Sequence, residues 1–136
     1  MESYLEKKIY YHDTDCGGVI YYANYLKYLE EGRTEAFSAL GIGPQKWLEA
    51  GIIFVVAHVD IDYKSPGRYA DTIKIISRIE KIGRTTIYFN QEVKRDQVIL
   101  VQANVVLACV DKNLKPRSIP EDIKKILVAK CPSGRV

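Results

Sequence analysis

Histidine and cysteine are scarce in this chain, and their scarcity narrows its chemistry. The 136 residues hold two histidines, His12 and His58, far apart in sequence, which gives a metal site little to build on. Three cysteines (Cys16, Cys109 and Cys131) cannot all pair within one chain and form no C-x-x-C spacing, so free thiols in a reducing compartment are expected. No apolar run approaches the roughly 18 residues that span a bilayer. The N-terminus mixes Glu2, Glu6, Lys7 and Lys8 with isolated apolar positions, unlike the continuous stretch of a signal peptide. A cytoplasmic protein without membrane insertion is the expectation. The net charge of +3 comes from Lys and Arg spread along the chain, with no basic run interleaved with aromatics, which argues against a nucleic-acid face. Such a bias suits a small polyanionic ligand.

What is present reads as one domain, residues 1–136, of α+β class. Residues 4–11 are rich in aromatic and β-branched side chains and predict a first strand. From about Ala23 to Leu40 the period is helical: Leu26, Leu29, Ala36, Phe37 and Leu40 recur at spacings of three and four, with Asn24 as the expected cap and Gly41 as the stop. Gly32 lies inside that helix at a cost of about 1 kcal/mol relative to Ala, which a close backbone approach from a curled sheet explains. Pro44–Ala50 reads as a short helical turn ended by Gly51. The period then becomes two. Strands are expected over residues 54–64, with Val55, Ala57, Val59, Ile61 and Tyr63 on one face, and over 71–82, 85–94 and 98–110. Short turns at Gly83 and Arg95-Asp96 make the sheet antiparallel, and a last helix follows Pro120 over Glu121–Ala129. A curved antiparallel sheet of about five strands wrapped on a long central helix results.

The most informative segment runs from Tyr11 to Arg33. Asp13 and Asp15 precede the Gly17-Gly18 pair, and the long helix begins a few residues later. A carboxylate beside a helix start faces a row of free backbone N–H groups, which polarise a carbonyl that the carboxylate attacks directly or through water. These are the parts of a small acyl-transfer site. Taken by spacing alone, the same acids also serve as turn formers and dipole partners. Cys16 reads as a small loop residue, and Glu30 with Arg33, at i and i+3, as a helix pair or an interface contact.

The pattern Tyr11-x-Asp13-Thr14-Asp15-x-x-Gly18-Val19-x-Tyr21-x-x-Asn24-Tyr25-x-x-Tyr28-x-Glu30-x-x-Arg33 resembles the hotdog-fold acyl-CoA thioesterases of the 4-hydroxybenzoyl-CoA thioesterase-like group, in its YbgC-type branch. Further matches fall at Phe54-Val55-Val56, Tyr63-x-x-Pro66 and Lys115-Pro116-Arg117. The resemblance implies a catalytic carboxylate at Asp15 and an oxyanion-binding backbone N–H at Tyr22, seven residues on, with Tyr11 also implicated. Some YbgC-type proteins carry histidine at the position of Tyr22, so a side-chain acid or base there is not expected. Gly18, Val19 and Tyr21 fall in the substrate-contacting stretch. Lys64, Arg84, Lys112, Lys115 and Arg117 stand at expected strand ends or loops, and Lys64 and Arg84 are the candidates for the substrate's phosphates. Coenzyme A enters as part of the substrate, with no separate cofactor and no metal. The resemblance further implies a homo-oligomer, a dimer or a dimer of dimers. It also offers an alternative reading, a non-catalytic module that holds an acyl carrier protein or an envelope or phospholipid-synthesis partner.

Overall fold

The computed structural model describes residues 2–131. In chain order these form β1 (Glu2–Lys8), α1 (Asn24–Ala39), α2 (Pro44–Ala50), β2 (Ile53–Tyr63), β3 (Thr72–Ile82), β4 (Thr86–Arg95), β5 (Val98–Val110) and α3 (Glu121–Ala129). All five strands make one antiparallel sheet in the order β1-β3-β4-β5-β2. The expected class, element order and antiparallel pairing are all found, and β5 and α3 keep their expected bounds.

Three corrections concern local geometry. The first strand begins and ends earlier than expected, because Tyr11–Asp13 coil into a single 3-10 turn. The cap position of α1 is Ala23, in helical conformation, while Asn24 is the first helical residue. The Asn24 side chain is drawn away from capping, since its Nδ2 donates to the Asp13 carbonyl at 2.9 Å. In β2 the expected common face is broken by a bulge between Val56 and His58. Phe54 and Val56 point to the helix side before it, and Val59 and Ile61 after it, so Val55 and Ala57 do not share their face. A bulge adds one residue to one strand and bends it. Further register shifts at Ile79/Lys81 and Val93/Lys94 contribute the sheet's curl.

The apolar interior divides into two clusters along α1. One gathers Phe37, Ile42, Ile52, Phe89, Leu107, Ile123 and Leu127, so that α3 closes this end of the sheet. Phe37 meets Trp47 and Phe89 edge-on and stacks with Phe54, ring centroids 5.1, 5.5 and 5.8 Å apart, geometries in which aromatic pairs gain beyond their buried area. The other cluster holds Ile9, Ile20, Tyr25, Tyr28, Leu29, Ile73, Ile75 and Val101. Gly41, at φ +74°, terminates α1, and Ile42 N–H returns to the Phe37 carbonyl at 3.1 Å.

Between the clusters lies a buried polar joint. Gln91 on β4 is wholly inaccessible; its Nε2 donates to the Leu29 carbonyl at 2.9 Å and to Ser77 Oγ at 2.8 Å, and its Oε1 accepts from Arg33 Nη1 at 3.0 Å. Gly32 makes this approach possible. A Cβ there would stand 2.6 Å from Ile75 Cγ2 and 2.9 Å from Ser77 Oγ. The helix backbone therefore sits directly on the sheet, as the interior glycine implied. Gly32→Ala gains about 1 kcal/mol of helix propensity yet must displace a buried isoleucine, an overpacking cost of about 1–3 kcal/mol plus loss of the Gln91 bonds. Urea unfolding of Gly32→Ala should show a net destabilisation of about 1–3 kcal/mol; equal or greater stability would mean that the joint yields freely.

Candidate active site

The segment from Asp13 to Ile20 folds back on itself as a small loop closed by a Thr14–Ile20 bridge. Asp15 N–H donates to the Val19 carbonyl at 2.9 Å and Gly18 N–H to the Asp15 carbonyl at 3.1 Å. Gly18, at φ +78°, occupies the left-handed region that turns the chain at little steric cost. The Asp15 side chain is exposed at the loop, and its Oδ1 accepts Gly17 N–H at 2.8 Å. One carboxylate oxygen is thus fixed by the backbone while the other carries no bond to any described residue.

Asp13 clasps this loop to the start of α1. Its carbonyl accepts both Tyr21 N–H at 3.0 Å and Asn24 Nδ2 at 2.9 Å, and its carboxylate accepts Tyr10 N–H at 2.9 Å. Burial pushes the Asp13 carboxyl up, but the Tyr10 N–H, the nearby Tyr28 hydroxyl, His12 and Lys7 together outweigh it and leave the group below the ordinary carboxylate value. The Tyr28 hydroxyl is buried with no partner in hydrogen-bond geometry among the described residues, and burial, then the adjacent Asp13 charge, raise its ionisation above that of free tyrosine. Asp13 is therefore a positioning acid, one that ties the loop to the start of α1.

Asn24 N–H closes a 3-10 turn onto the Tyr21 carbonyl at 2.9 Å, so the helical path begins at Tyr22. Among the described residues, the Tyr22 and Ala23 N–H groups have no acceptor. These are the open donors that every helix start exposes, and the helix dipole adds partial positive charge there. The Tyr22 ring is 61% exposed and its carbonyl accepts the Tyr63 hydroxyl at 3.3 Å. Burial, then the neighbouring Tyr22, raises the Tyr63 ionisation, so the phenol stays protonated and able to donate. A groove of about 300 Å³ opens beside these residues, lined by Ile20, Tyr22, Tyr25, Tyr63, Lys64 and Pro66.

The structure brings Asp15, Gly18, Val19, Tyr21, Tyr22 and Lys64 to one end of the sheet. Tyr11 is there too, 77% exposed and edge-on to Tyr69 at 6.0 Å. Tyr25 and Tyr28 are core residues, whereas Tyr21 is exposed. Arg84 is not brought to this end. It follows β3 at the opposite end of the sheet, where Nη1 donates to Ser118 Oγ and the carbonyl accepts Ile119 N–H at 2.9 Å. Arg33 turns inward to Gln91 instead of pairing with Glu30, whose carboxylate accepts the Thr34 hydroxyl. Sequence reasoning missed two site-forming groups, the Asn24 amide and the Tyr63 hydroxyl. Tyr63 was visible within the Tyr63-x-x-Pro66 match.

A carboxylate on a short loop, open amides at a helix tip and a wrapped antiparallel sheet define a hotdog-type thioester hydrolase. The chain belongs to the thioesterase superfamily, whose profile matches residues 17–102. It is 36% identical over 119 residues to the acyl-CoA thioesterase YbgC of Haemophilus influenzae, spanning 86% of this chain and 88% of that one. The acyl-CoA thioester hydrolase YbgC of Escherichia coli is 34% identical over 118 residues, spanning 85% and 88%. Among solved structures, a DHNA-CoA thioesterase from Staphylococcus aureus superposes with a TM-score of 0.81 at 27% identity, over 86% of this chain and 80% of that chain. A protein from Thermus thermophilus gives a TM-score of 0.89 at 25% identity, over 96% and 98%. Among the described residues, no helix is long and apolar enough to cross a membrane.

The lowered Asp13 carboxyl has a pH consequence. A depressed folded-state value contributes stability above the unfolded value, and that contribution is lost as pH falls through the folded one. Asp13→Asn should therefore lower stability near neutral pH by about 1.5–3 kcal/mol, the scale of a hydrogen bond to a charged group. The gap to wild type should close as pH drops below the ordinary carboxylate range. Thermal unfolding of both proteins across acid pH checks this, and a gap that persists at the lowest pH contradicts it.

Proposed function

We propose that this chain hydrolyses the thioester of a short-chain acyl- or aryl-CoA, with Asp15 as the reacting carboxylate and the Tyr22 N–H as the oxyanion donor. The observation that carries the proposal is the unbonded Tyr22 N–H at the tip of α1, tied through Asp13 to the loop that presents Asp15. The named YbgC relatives, acyl-CoA thioester hydrolases, support the substrate class.

Thioester hydrolysis needs a nucleophile at the acyl carbon and a donor for the oxygen that becomes negative. Asp15 acts by one of two routes. In the first its free oxygen attacks the carbonyl, CoA leaves as a thiolate, and water cleaves the resulting mixed anhydride to the acid and regenerated Asp15. In the second Asp15 takes a proton from the attacking water, and CoA again departs as thiolate. Both routes develop charge on the same oxygen, which the Tyr22 N–H and the positive end of α1 stabilise; one such donor contributes about 3 kcal/mol. A thiolate is a good leaving group, so the chemistry requires no strong general acid, consistent with tyrosine at position 22.

Tyr11 lies on the rim of this site and is proposed as a substrate-contacting residue. Lys64, in the groove beside Tyr22, suits a CoA phosphate. The exposed rings of Tyr11, Tyr21, Tyr22, Tyr63 and Tyr69 around the loop are a surface that monomers rarely leave uncovered. This supports a second copy of the chain enclosing the site, in a dimer or a dimer of dimers.

The decisive assay measures hydrolysis of a panel of acyl- and aryl-CoA thioesters by wild type and Asp15→Asn. The amide retains an oxygen for Gly17 N–H, so the fold should persist by circular dichroism while kcat falls at least about a hundredfold. Equal rates would remove Asp15 from the mechanism. Incorporation of labelled oxygen from water into Asp15 after turnover would select the anhydride route. Failure on every thioester would move the balance to a binding module.

A further inference from the structure

A second pocket, of about 150 Å³, opens where α1 passes the start of β2, walled by Phe37, Trp47, Phe54 and Val56 with Arg33 and Glu30 at its sides. Arg33 is 7% exposed, and its one hydrogen bond to a described residue runs from Nη1 to the neutral amide oxygen of Gln91. Among the described residues no carboxylate lies within ion-pair distance of Arg33. Glu30 attracts it from the exposed rim, but its carboxylate is engaged by Thr34. Trp47 Nε1, in the same wall, is likewise buried without an acceptor.

A buried guanidinium with no carboxylate in direct contact is costly, and each unmet buried donor adds to the cost. Arg and Trp side chains only donate. Their complement is a group that only accepts, and a carboxylate meets a guanidinium with two parallel hydrogen bonds.

The pocket lies farther along the same face of α1 as the site already described, and the two share no lining residue. Tyr22, Leu26, Glu30, Arg33 and Phe37 follow one stripe of α1 at spacings of three and four. The facing strand β2 carries Tyr63 at the Tyr22 groove and Phe54 and Val56 at this pocket, with half-buried Val59 and Ile61 between. At 1.5 Å per residue, Arg33 stands about 16 Å along α1 from Tyr22.

Resting on the thioester-hydrolase part of the reading above, and replacing its short-chain acyl group with a longer one, we propose that this pocket receives a carboxylate at the far end of the acyl group, so that the preferred substrates are CoA half-thioesters of dicarboxylic acids. The seam carries the methylene chain, and Arg33 is the residue that selects the anionic end.

The test compares length-matched pairs, succinyl- with butyryl-CoA up to the twelve-carbon diacid with dodecanoyl-CoA. An acyl chain running along α1 must cover the full distance from Tyr22, whereas one entering from a second copy needs less. The expected result is a kcat/KM ratio of at least about tenfold in favour of the acid-ended partner at one chain length, falling about tenfold in Arg33→Met. Arg33→Met also loses its bond to Gln91, so Val56→Phe, which fills the pocket from an exposed position, is the second variant and should lower the same ratio. Calorimetric titration of the same pairs into Asp15→Asn reads the pocket without turnover, so absence of hydrolysis would sink the thioesterase reading without silencing this test. A wild-type preference for the neutral partner at every length, or a ratio and affinity that neither variant moves, would overturn the proposal.

Discussion

The contact on which the rest of the structure depends is the seating of α1 on the sheet through Gln91. A single buried amide on β4 uses both its donor and its acceptor on the helix, at the Leu29 carbonyl and the Arg33 guanidinium, and reaches Ser77 on β3 as well. An apolar interface alone would let a helix slide or roll, because dispersion contacts have little directional preference. Hydrogen bonds of fixed geometry remove that freedom. With α1 fixed in register, its first turn arrives at one defined place above the Asp13 loop. The place of the α1 tip above the Asp13 loop is in this sense set two turns farther along the helix.

That arrangement separates two duties that might have fallen on one acid. Asp13 is buried, held charged by its donors, and committed to architecture. Asp15, two residues later, is exposed with one oxygen free. Alternation along an extended chain sends neighbouring-but-one side chains to the same side, but the 3-10 turn at Tyr11–Asp13 breaks that rule locally. The Asp-Thr-Asp triplet thereby becomes one anchor and one exposed carboxylate, the one proposed to react.

Much of this was legible in the sequence, and the parts that were not share a cause. β5 could be bounded because turn residues stand on both sides of it, Arg95-Asp96 before and Asp111-Lys112-Asn113 after, although a register shift at Leu100 interrupts its alternation; α3 could be bounded because Pro120 and two acids mark its start. Gly32 announced the close approach of helix and sheet. The face of β2 was misread because a bulge inverts the parity of every later residue, and nothing in Val56-Ala57-His58 signals an extra residue. Arg33 was paired with Glu30 because spacing on a helix is visible and a glutamine on a distant strand is not. Arg84 looked suitable as a loop cation, but whether a loop lies at the near or far end of a sheet follows only from strand order. Asn24 was taken for a cap because the type fits; its amide was claimed by a carbonyl eleven residues earlier.

The strand order also governs how the chain can be assembled in time. β3, β4 and β5 form a meander whose partners are sequence neighbours, but β2 must find β5, with Tyr63 opposite Val101, across that whole meander. Until β5 exists, β2 has no hydrogen-bonding partner, and the aromatic side of α1 that it covers stays open to solvent. Long-range closure of this kind slows folding relative to local pairing. During synthesis the nascent protein therefore carries its sticky half-built seam from the emergence of Phe37 until the last strand leaves the ribosome, an interval in which chaperone protection matters more than native stability.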